Sequence, residues 1–577
     1  MDISSPHLSY RRMMSRLQSQ LRIITIQLLA ALDVWSSTQQ SASRSNCIEG
    51  SSCWPPASSW AELNRTLHGH LVRSLPPAAP CHSSYFDADA CSTARNNWEN
   101  ATWRAIQPGA YQDTAWENGD EPCYIDDTIE APCQQGHVPY YTAVVGSVED
   151  VQAAVKFARD NKLATRVKGA SHDYLGRSSG SGTFSIQTIN LKGIAFYDSF
   201  VPSGCRVSPQ NAVTVAAGHH FTDVYKAADA HGRTVLGGAT SSVGAAGGWA
   251  LGGGHSFLSP QYGLGVDNIL QFAVVTVDGR AQIANQCQNA DLFWALRGGG
   301  GGLAVATSVT YKTYPAVKNL MTISLQATTN SDLYTPFLST ILSLLPAWSD
   351  YNISGYTYTA VRGTTATLFI PNSDGNIAKT NTSLAPIYQF AEAHPGEVNV
   401  SARFAVYPSI WVLYESGFAV EKVGLASVFG SRLFPRSAFE SKAGTDKLAQ
   451  HVADSGLFTL FLLVGGGKVN QPAPEAMAVN PSWRKALAHV VVTDAWRSNT
   501  SIADRNAIRR RITQGAQGLG NFAPGMGTYV NEADYNEPEW QKVFWGSNYP
   551  RLLEVKRKYD PTGILTCKKC VGDETFV

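Results

Sequence analysis

The chain has 577 residues, of which 44% are hydrophobic and 16% are charged, and its formal net charge is +1. The length predicts several domains, and the apolar fraction is sufficient for large cores, which excludes a disordered or fibrous protein. The balanced charge offers no basic face to nucleic acid, so no nucleic-acid partner is expected.

Residues 1–45 form a predicted leader. Several arginines precede the apolar run at residues 23–32, and small residues follow it. The run is too short to span a bilayer, and a basic stretch before an apolar one is typical of a signal peptide, with an amphipathic or disordered leader as the alternative. We expect a protein that is secreted or stays in the secretory pathway, with no membrane partner.

Residues 46–136 form a segment rich in cysteine, tryptophan and proline. The segment holds six of the ten cysteines, and local pairing of this kind is typical of disulfides in secreted proteins. Cys567 and Cys570 are interpreted as a structural pair because no further zinc ligands lie near them in the sequence, and no metal site is predicted. Six glycosylation sequons also favour the secretory route; they begin at Asn64, Asn100, Asn352, Asn381, Asn399 and Asn499.

Residues 137–317 alternate short β-branched strands with helical runs and dense glycine. The patterns predict strands at 140–145, 165–168, 213–216 and 269–277, and helices at 148–161, 221–231 and 291–296. Residues 318–520 also alternate predicted strands and helices, with a strand at 320–327 and a helix at 331–345. Residues 521–577 hold an aromatic stretch and a charged helix at 551–559, which Asp560 and Pro561 close.

Glycine clusters follow several of these strands, and such clusters allow backbone N–H groups to approach a phosphate. A nicotinamide fingerprint does not fit the run at 299–304, because that run follows a helix and leads into a β-rich stretch. The G-x-S-x-G letters at 176–180 lack the helix that a serine hydrolase requires after them. His172 lies in one of the glycine-rich loops, where its residue type alone would indicate a surface or capping histidine.

Several runs resemble, in the right order, the FAD-binding domain of the vanillyl-alcohol-oxidase superfamily. They are RVKGASHDYLGRS at 166–178, GLGVDN at 263–268 and DLFWALRGGG at 291–300. The runs WGSNYPRL at 545–552 and KYDP at 558–561 are similar to the C-terminal segment of berberine-bridge enzymes. The chain most resembles the fungal isoamyl-alcohol-oxidase type, over about residues 47–570.

The resemblance implies an α+β fold. Two subdomains of a PCMH-type FAD-binding domain, residues 137–317, would enclose FAD. A substrate domain with an antiparallel sheet, residues 318–520, would cover the flavin ring, and the C-terminal segment, residues 521–577, would return to the flavin.

The resemblance also assigns site residues. His172 would bond covalently to the flavin ring methyl, a reaction for which a neutral imidazole is a suitable nucleophile. A second, cysteinyl bond is not expected, because Thr240 stands where related enzymes have cysteine, and Val243 would leave an opening for oxygen. Tyr529 is the candidate catalytic residue: it would accept the substrate proton if neighbours lower its pKa, or it would only pack on the ring. Together with His172 and Val243, the predicted cofactor-binding residues are Arg166, Gly169, Ser171, Gly176, Gly244, Gly248, Gly253, Asp267, Asn268, Asn531 and Asn548.

The predicted function is that of a monomeric FAD-dependent oxidase. It would take a hydride from an alcohol-type carbon of a small molecule, such as a fungal secondary metabolite, and pass electrons to oxygen to give hydrogen peroxide. The alternatives are a secreted carbohydrate oxidase of the same fold and an oxidative cyclase. A flavin-binding protein without activity and a nicotinamide-dependent dehydrogenase are further alternatives.

Overall fold

The computed structural model describes residues 47, 49–118, 123–360, 362–418 and 423–576. The predicted leader, residues 1–45, lies outside the described residues. Residues Asn46–Asp573 form one compact unit. In the described part of the chain, no helix combines the length and the apolar character that a bilayer crossing requires.

A four-stranded sheet comes first in the chain. Its strands are β1 (Leu71–Arg73), β2 (Tyr141–Val144), β3 (Thr165–Lys168) and β4 (Phe184–Gln187), in the spatial order β1-β2-β4-β3. β2 and β3 pair in parallel with β4, whereas β1 comes from the Cys-rich segment and pairs antiparallel with β2. The helix Val148–Asp160 connects β2 to β3, and its first turn carries a capping box formed by Ser147 and Asp150.

A second sheet has five strands, and all of its strand pairs are antiparallel. In spatial order the strands are β5 (Ile194–Phe200), β6 (Gln210–Ala216), β10 (Val305–Lys312), β8 (Ile269–Val275) and β9 (Ala281–Ala284). Its connections contain the helices Phe221–Ala230, Gly248–Gly252, Ser259–Tyr262 and Ala290–Leu296. Two short strands, β7 (Arg233–Thr234) and β11 (Tyr314–Pro315), pair separately.

The third sheet has seven antiparallel strands and two covered faces. In spatial order the strands are β15 (Val398–Tyr407), β12 (Leu320–Thr329), β14 (Gly363–Ile370), β13 (Ser354–Ala360), β17 (Phe458–Leu463), β18 (Ala486–Trp496) and β16 (Ala426–Pro435). Side chains alternate between the faces of a strand. Ile323 and Leu325 therefore face a core that includes the helices Ser331–Asp350, Lys442–Ser455 and Ile502–Gly520, while Tyr356 and Leu462 belong to the core shared with the first two sheets. Three short helices, Ile377–Asn381, Ala385–Glu392 and Ile410–Glu415, complete this part.

All ten cysteines form disulfides. The pairs are Cys47–Cys53, Cys81–Cys91, Cys123–Cys133, Cys205–Cys287 and Cys567–Cys570. The first three join the local pairs of the Cys-rich segment, whose helices are Ala57–Thr66, Ala88–Asn96, Ala101–Ile106 and Ala115–Asn118. The prediction of local disulfides is confirmed.

The C-terminal segment returns to the first two sheets. It contains the helices Trp540–Trp545 and Tyr549–Tyr559, and a last helical turn spans Asp573–Phe576. The indole of Trp545 donates to Gly298 O at 2.9 Å, and Thr165 N donates to Ile564 O at 2.7 Å. Buried Lys556 donates to Asp560 and to Gly302 O. These bonds fix the segment beside the glycine loops.

Candidate functional site

A cavity of about 250 Å³ lies where the glycine loops, the C-terminal segment and the loop after β3 meet. The loop after β3 contributes residues 169–175, and the C-terminal segment contributes Tyr529, Asn531 and Glu532. Two glycine-rich runs, called the glycine loops below, contribute residues between 238 and 251 and residues 301–302. Eight of the predicted site residues border this cavity: Gly169, Ser171, His172, Val243, Gly244, Gly248, Tyr529 and Asn531.

The loop after β3 presents His172 to the cavity in a strained backbone conformation. Ser171 has a φ of +67°, which is unusual for a residue with a side chain. The loop is fixed from outside because Gln112 donates its backbone N–H to Ser171 O at 3.1 Å and its side-chain amide to Ala170 O at 2.8 Å. Asp173 closes the following turn by accepting from Leu175 N and from Ser178.

A second loop, residues 240–244, orients the His172 ring. Ser242 Oγ lies 2.9 Å from His172 Nε2, within hydrogen-bonding distance. This loop is held to the start of the helix Phe221–Ala230, since Phe221 N donates to Val243 O at 2.9 Å. His220, at the same helix start, is not part of the cavity wall, and burial lowers its pKa to about 4.

Tyr529 and Asn531 form a hydrogen-bonded pair in the cavity wall. Asn531 donates to the Tyr529 hydroxyl at 2.7 Å and to Gly248 O at 2.8 Å. Gly252 is required beside this pair, because a Cβ on it would lie 2.4 Å from Asn531 Oδ1. Burial, together with the charge of Glu532, raises the pKa of Tyr529 above its ordinary value. The surrounding residues therefore keep the tyrosine neutral.

Next to Tyr529 lies a cluster of one carboxylate and two histidines. His255 Nε2 donates to Glu532 Oε1 at 3.0 Å, and His489 Nδ1 lies 3.3 Å from Glu532 Oε2 without the alignment of a hydrogen bond. Glu532 borders the cavity with a fifth of its side chain exposed, and His489 is fully buried on β18. Burial opposes ionisation of Glu532, but the contacts with both histidines outweigh it and hold its pKa below the usual range.

The remaining six predicted site residues lie outside the cavity wall. Arg166 donates to Ser179 O and to Thr566 O, and Gly176 packs so closely on Trp116 that a Cβ would lie 2.5 Å from the indole. Gly253 has a φ of +134°. The other three join neighbouring segments: Asp267 forms an ion pair with Arg484, Asn268 donates to Tyr262 O and Leu264 O, and Asn548 donates to Met477 O and Val479 O. Their direct contact with a cofactor stays a prediction.

Four residues of this region were not predicted from the sequence. Arg177 borders the cavity and donates to Val530 O, while its Nε and Nη2 have no hydrogen-bond partner among the described residues. Two members of the histidine cluster had a sequence signal, because His255 directly follows a glycine run and Glu532 directly follows the Y-x-N motif. His489 had none, since it stands in the middle of an apolar strand.

Known proteins resemble this chain in both sequence and fold. An FAD binding domain model matches residues 139–285, and a "berberine and berberine like" model matches residues 528–571. An FAD-linked oxidoreductase of Arthroderma benhamiae is 36% identical over 92% of this chain and 95% of its own length. The crystal structure of the VAO-type flavoprotein MtVAO713 of Myceliophthora thermophila C1 is 27% identical with a TM-score of 0.85, covering 92% of this chain and 98% of that one. A glucooligosaccharide oxidase of Acremonium strictum shares the fold at 22% identity and a TM-score of 0.63, over 75% of this chain and 91% of that one.

The two family models match within the FAD-binding and the C-terminal regions from which the resemblance was inferred, and the comparisons confirm the predicted fold, cofactor and enzyme class. The narrower isoamyl-alcohol-oxidase type stays a prediction. The chain belongs to the berberine-bridge-like FAD-linked oxidoreductases of the vanillyl-alcohol-oxidase superfamily.

Proposed function

We propose that this protein is an oxidase that takes a hydride from an alcohol-type carbon of a small molecule and passes the electrons to oxygen, giving hydrogen peroxide. Bound FAD supplies the hydride acceptor and the oxygen-reactive centre. One observation supports the proposal most directly: His172 and the group Tyr529, Asn531 and Glu532 border one cavity, so that a flavin anchor and proton-handling side chains face the same space.

The cavity fits a phosphate-bearing cofactor. A Cβ placed on Gly247, Gly248 or Gly301 would meet no atom within 4 Å, so the space beside these backbones is open. Glycine backbones of this kind allow close approach of a pyrophosphate. Arg177 lies in the same wall, and its Nε and Nη2, which have no partner in the described part of the chain, are donors suited to an anionic or carbonyl oxygen. These residues would hold FAD.

We further propose a single covalent bond between His172 and the flavin. The ring borders the cavity, and its orientation is fixed by Ser242 at 2.9 Å. A second bond through cysteine lacks a thiol, because Thr240 stands in the wall and all ten cysteines are in disulfides. Tyr529 is proposed to touch the reacting group of the substrate, with Asn531 orienting its hydroxyl.

A peroxide-release screen tests the oxidase assignment. Purified enzyme is incubated with three panels, namely simple and aromatic alcohols, oligosaccharides, and polyketide-like hydroxyl compounds. We expect peroxide from the first or third panel and none from a His172→Ala variant freed of flavin. Release with sugars alone would favour the carbohydrate oxidase, and conversion to a ring product would favour the oxidative cyclase. Flavin reduction by a substrate without peroxide release would contradict the oxidase assignment.

We propose that the protein follows the secretory route. Five disulfides are typical of oxidising compartments. None of the six sequon asparagines is buried, and four of them, Asn100, Asn352, Asn399 and Asn499, are exposed. Treatment of the protein from its natural host with an endoglycosidase should reduce its apparent mass. An unchanged mass together with reduced cysteines would contradict this route.

A further inference from the structure

Two carboxylates border the cavity in the described part of the chain, and they differ in what they already bind. Asp173 accepts three hydrogen bonds within its own loop, from Leu175 N, Ser178 N and Ser178 Oγ. Glu532 accepts one aligned hydrogen bond, from His255, and a fifth of its side chain is exposed. Glu532 therefore has the capacity to accept a proton from a molecule in the cavity.

We propose that Glu532 is the catalytic base that accepts the proton of the substrate hydroxyl, and that His255 and His489 are positioning residues for its carboxylate. This inference rests on the proposed function, since it names the residue that completes that reaction. In the step, the hydroxyl O–H bond breaks and its proton goes to a Glu532 oxygen. The carbon–oxygen double bond forms as the C–H hydride, with its two electrons, leaves for bound FAD.

The contacts of Tyr529 make it a poor alternative base. Its hydroxyl already accepts a hydrogen bond from Asn531 at 2.7 Å, and burial and the Glu532 charge raise its pKa. A neutral tyrosine donates its hydrogen, so Tyr529 is suited to hold the substrate oxygen while Glu532 takes the proton.

The groups that face Glu532 come from several elements. His255 follows the glycine run, His489 lies on β18, and Tyr356 lies on β13. Tyr529 packs edge-on against both histidine rings, at centroid distances of 5.1 Å from His255 and 5.8 Å from His489. Because both histidines favour an ionised carboxylate and both tyrosines are buried and neutral, Glu532 is held ionised, which is the state in which a carboxylate can act as a proton acceptor.

The first test is anaerobic reduction of the bound flavin by an alcohol found in the screen. Glu532→Gln keeps the shape of the side chain and removes the base, so flavin reduction should slow by about 100-fold to 10,000-fold. Glu539→Gln is the matched control, because Glu539 lies in the same segment, is exposed and, among the described residues, forms an ion pair with Lys542 alone; the rate of this variant should not change. Equal rates in the wild type and Glu532→Gln would overturn the inference.

The second test measures how the rate depends on pH, which distinguishes a positioning role of His255 from a merely structural one. Glu532 must be ionised to act, so the rate falls as the pH drops below its pKa. His255→Leu removes the contact that lowers this pKa, so the acid limb of the rate profile should move to higher pH; His255→Gln keeps an N–H donor and should restore part of the shift. The wild type is expected to keep its rate down to the lowest pH at which it stays folded, so the readout is a loss of rate in His255→Leu at a pH where the wild type is still fully active. Equal rate profiles in the two proteins would overturn the positioning role, and this test also serves if Glu532→Gln does not fold.

A readout independent of turnover is the infrared carboxylate band of Glu532, identified by subtraction of the Glu532→Gln spectrum. We expect the ionised band to persist to lower pH in the wild type than in His255→Leu. Failure of the proposed function is distinguishable: no alcohol would then reduce the wild-type flavin, and the inference would fall with it. Reduction of wild type and Glu532→Gln at one rate would refute the base alone.

Discussion

Two histidines lie near the same loop, and only one of them borders the cavity. His172 forms part of the wall, whereas His220 lies behind it at the start of a helix. Burial lowers the pKa of His220 to about 4, so its imidazole is neutral at ordinary pH. A neutral imidazole is also what bonding to the flavin requires. Only the position at the cavity wall, and not the residue type, therefore distinguishes His172 as the candidate for flavin attachment.

The attachment site can be tested with these two residues. His172→Ala should bind FAD through the glycine loops but release it on acid precipitation, because the covalent bond is absent. His220→Ala is the matched control and should keep its yellow colour in the precipitate. Mass spectrometry of the wild type should find one FAD on the peptide that contains His172. A flavin on the peptide of His220 would contradict the assignment.

Val243 provides a test of oxygen access. The residue borders the cavity, and its backbone is fixed on both sides, because its N–H donates to Thr240 O at 3.2 Å and its carbonyl accepts from Phe221 at 2.9 Å. Val243→Leu therefore adds one methylene without moving the chain. We expect reoxidation of the reduced flavin by oxygen to slow by about tenfold or more, which is about 1.4 kcal/mol in the barrier.

Stopped-flow measurement of the two half-reactions checks this expectation. Flavin reduction by substrate should stay near the wild-type rate in Val243→Leu, because the substitution changes neither Tyr529 nor Glu532 nor the hydrogen bonds they form with Asn531 and His255. Equal reoxidation rates in both proteins would refute the gate. Slow reoxidation in the wild type would refute the oxidase assignment itself.

At the scale of elements, an ion pair joins the helical turn Gly265–Asn268 to the helical turn Pro481–Lys485, which directly precedes β18. Arg484 donates to both oxygens of Asp267, at 2.7 and 2.9 Å, and both side chains are at least nine-tenths buried. Removing one partner of a buried pair leaves an uncompensated charge. Asp267 therefore holds two parts of the molecule together, which accounts for the polar residue at this position without a cofactor contact.

Asp267→Ala should lower the free energy of unfolding by about 3 kcal/mol. The matched control is Asp350→Ala, which breaks an equally short bidentate pair with Arg436 at the surface and should cost less than about 1 kcal/mol. Denaturant unfolding of both variants measures the difference. Loss of FAD from a folded Asp267→Ala protein of unchanged stability would instead support the predicted cofactor contact.

Four of the nine strands in the first two sheets, namely β2, β3, β6 and β8, could be predicted with bounds from the sequence, because local patterns specify them. The strand at 165–168 is bounded by a helix and a glycine run, and it was predicted with the bounds that β3 has. β1 was missed, since three half-exposed residues carry no pattern and pair only through tertiary contact with β2. The helix predicted at 331–345 continues to Asp350, where the buried Trp348 extends its apolar face.

The difference between local sequence patterns and tertiary contacts also decides which site residues could be predicted. Motifs predicted the loop of His172 and the Tyr529–Asn531 pair, because these residues are contiguous in the chain. Glu532 contacts His255 and His489, which lie 277 and 43 positions away in the chain, and no local pattern reveals which residue of the strand faces Glu532.

At the scale of the whole molecule, disulfides of very different span hold the fold. Cys205–Cys287 has a sequence separation of 82, whereas Cys567–Cys570 has a separation of 3 and lies beside the cavity. In the chain-entropy model, a cross-link restricts the unfolded chain more when it closes a longer loop. The longer disulfide is therefore expected to contribute more to global stability.

Removing each pair by Cys→Ser substitution tests this order. Loss of Cys205–Cys287 should lower the free energy of unfolding by about 4 kcal/mol, and loss of Cys567–Cys570 by about 1 to 2 kcal/mol, because the entropy of the unfolded loop grows with the logarithm of its length. Thermal unfolding of the two double variants, each loaded with FAD, measures the order. Loss of Cys567–Cys570 should have a second effect, because Cys567 lines the cavity whereas Cys205 and Cys287 do not. We expect it to weaken FAD retention in a His172→Ala background, where no covalent bond hides the loss of non-covalent binding. Equal retention with and without Cys567–Cys570 would show that this pair closes the chain end without shaping the cofactor cavity.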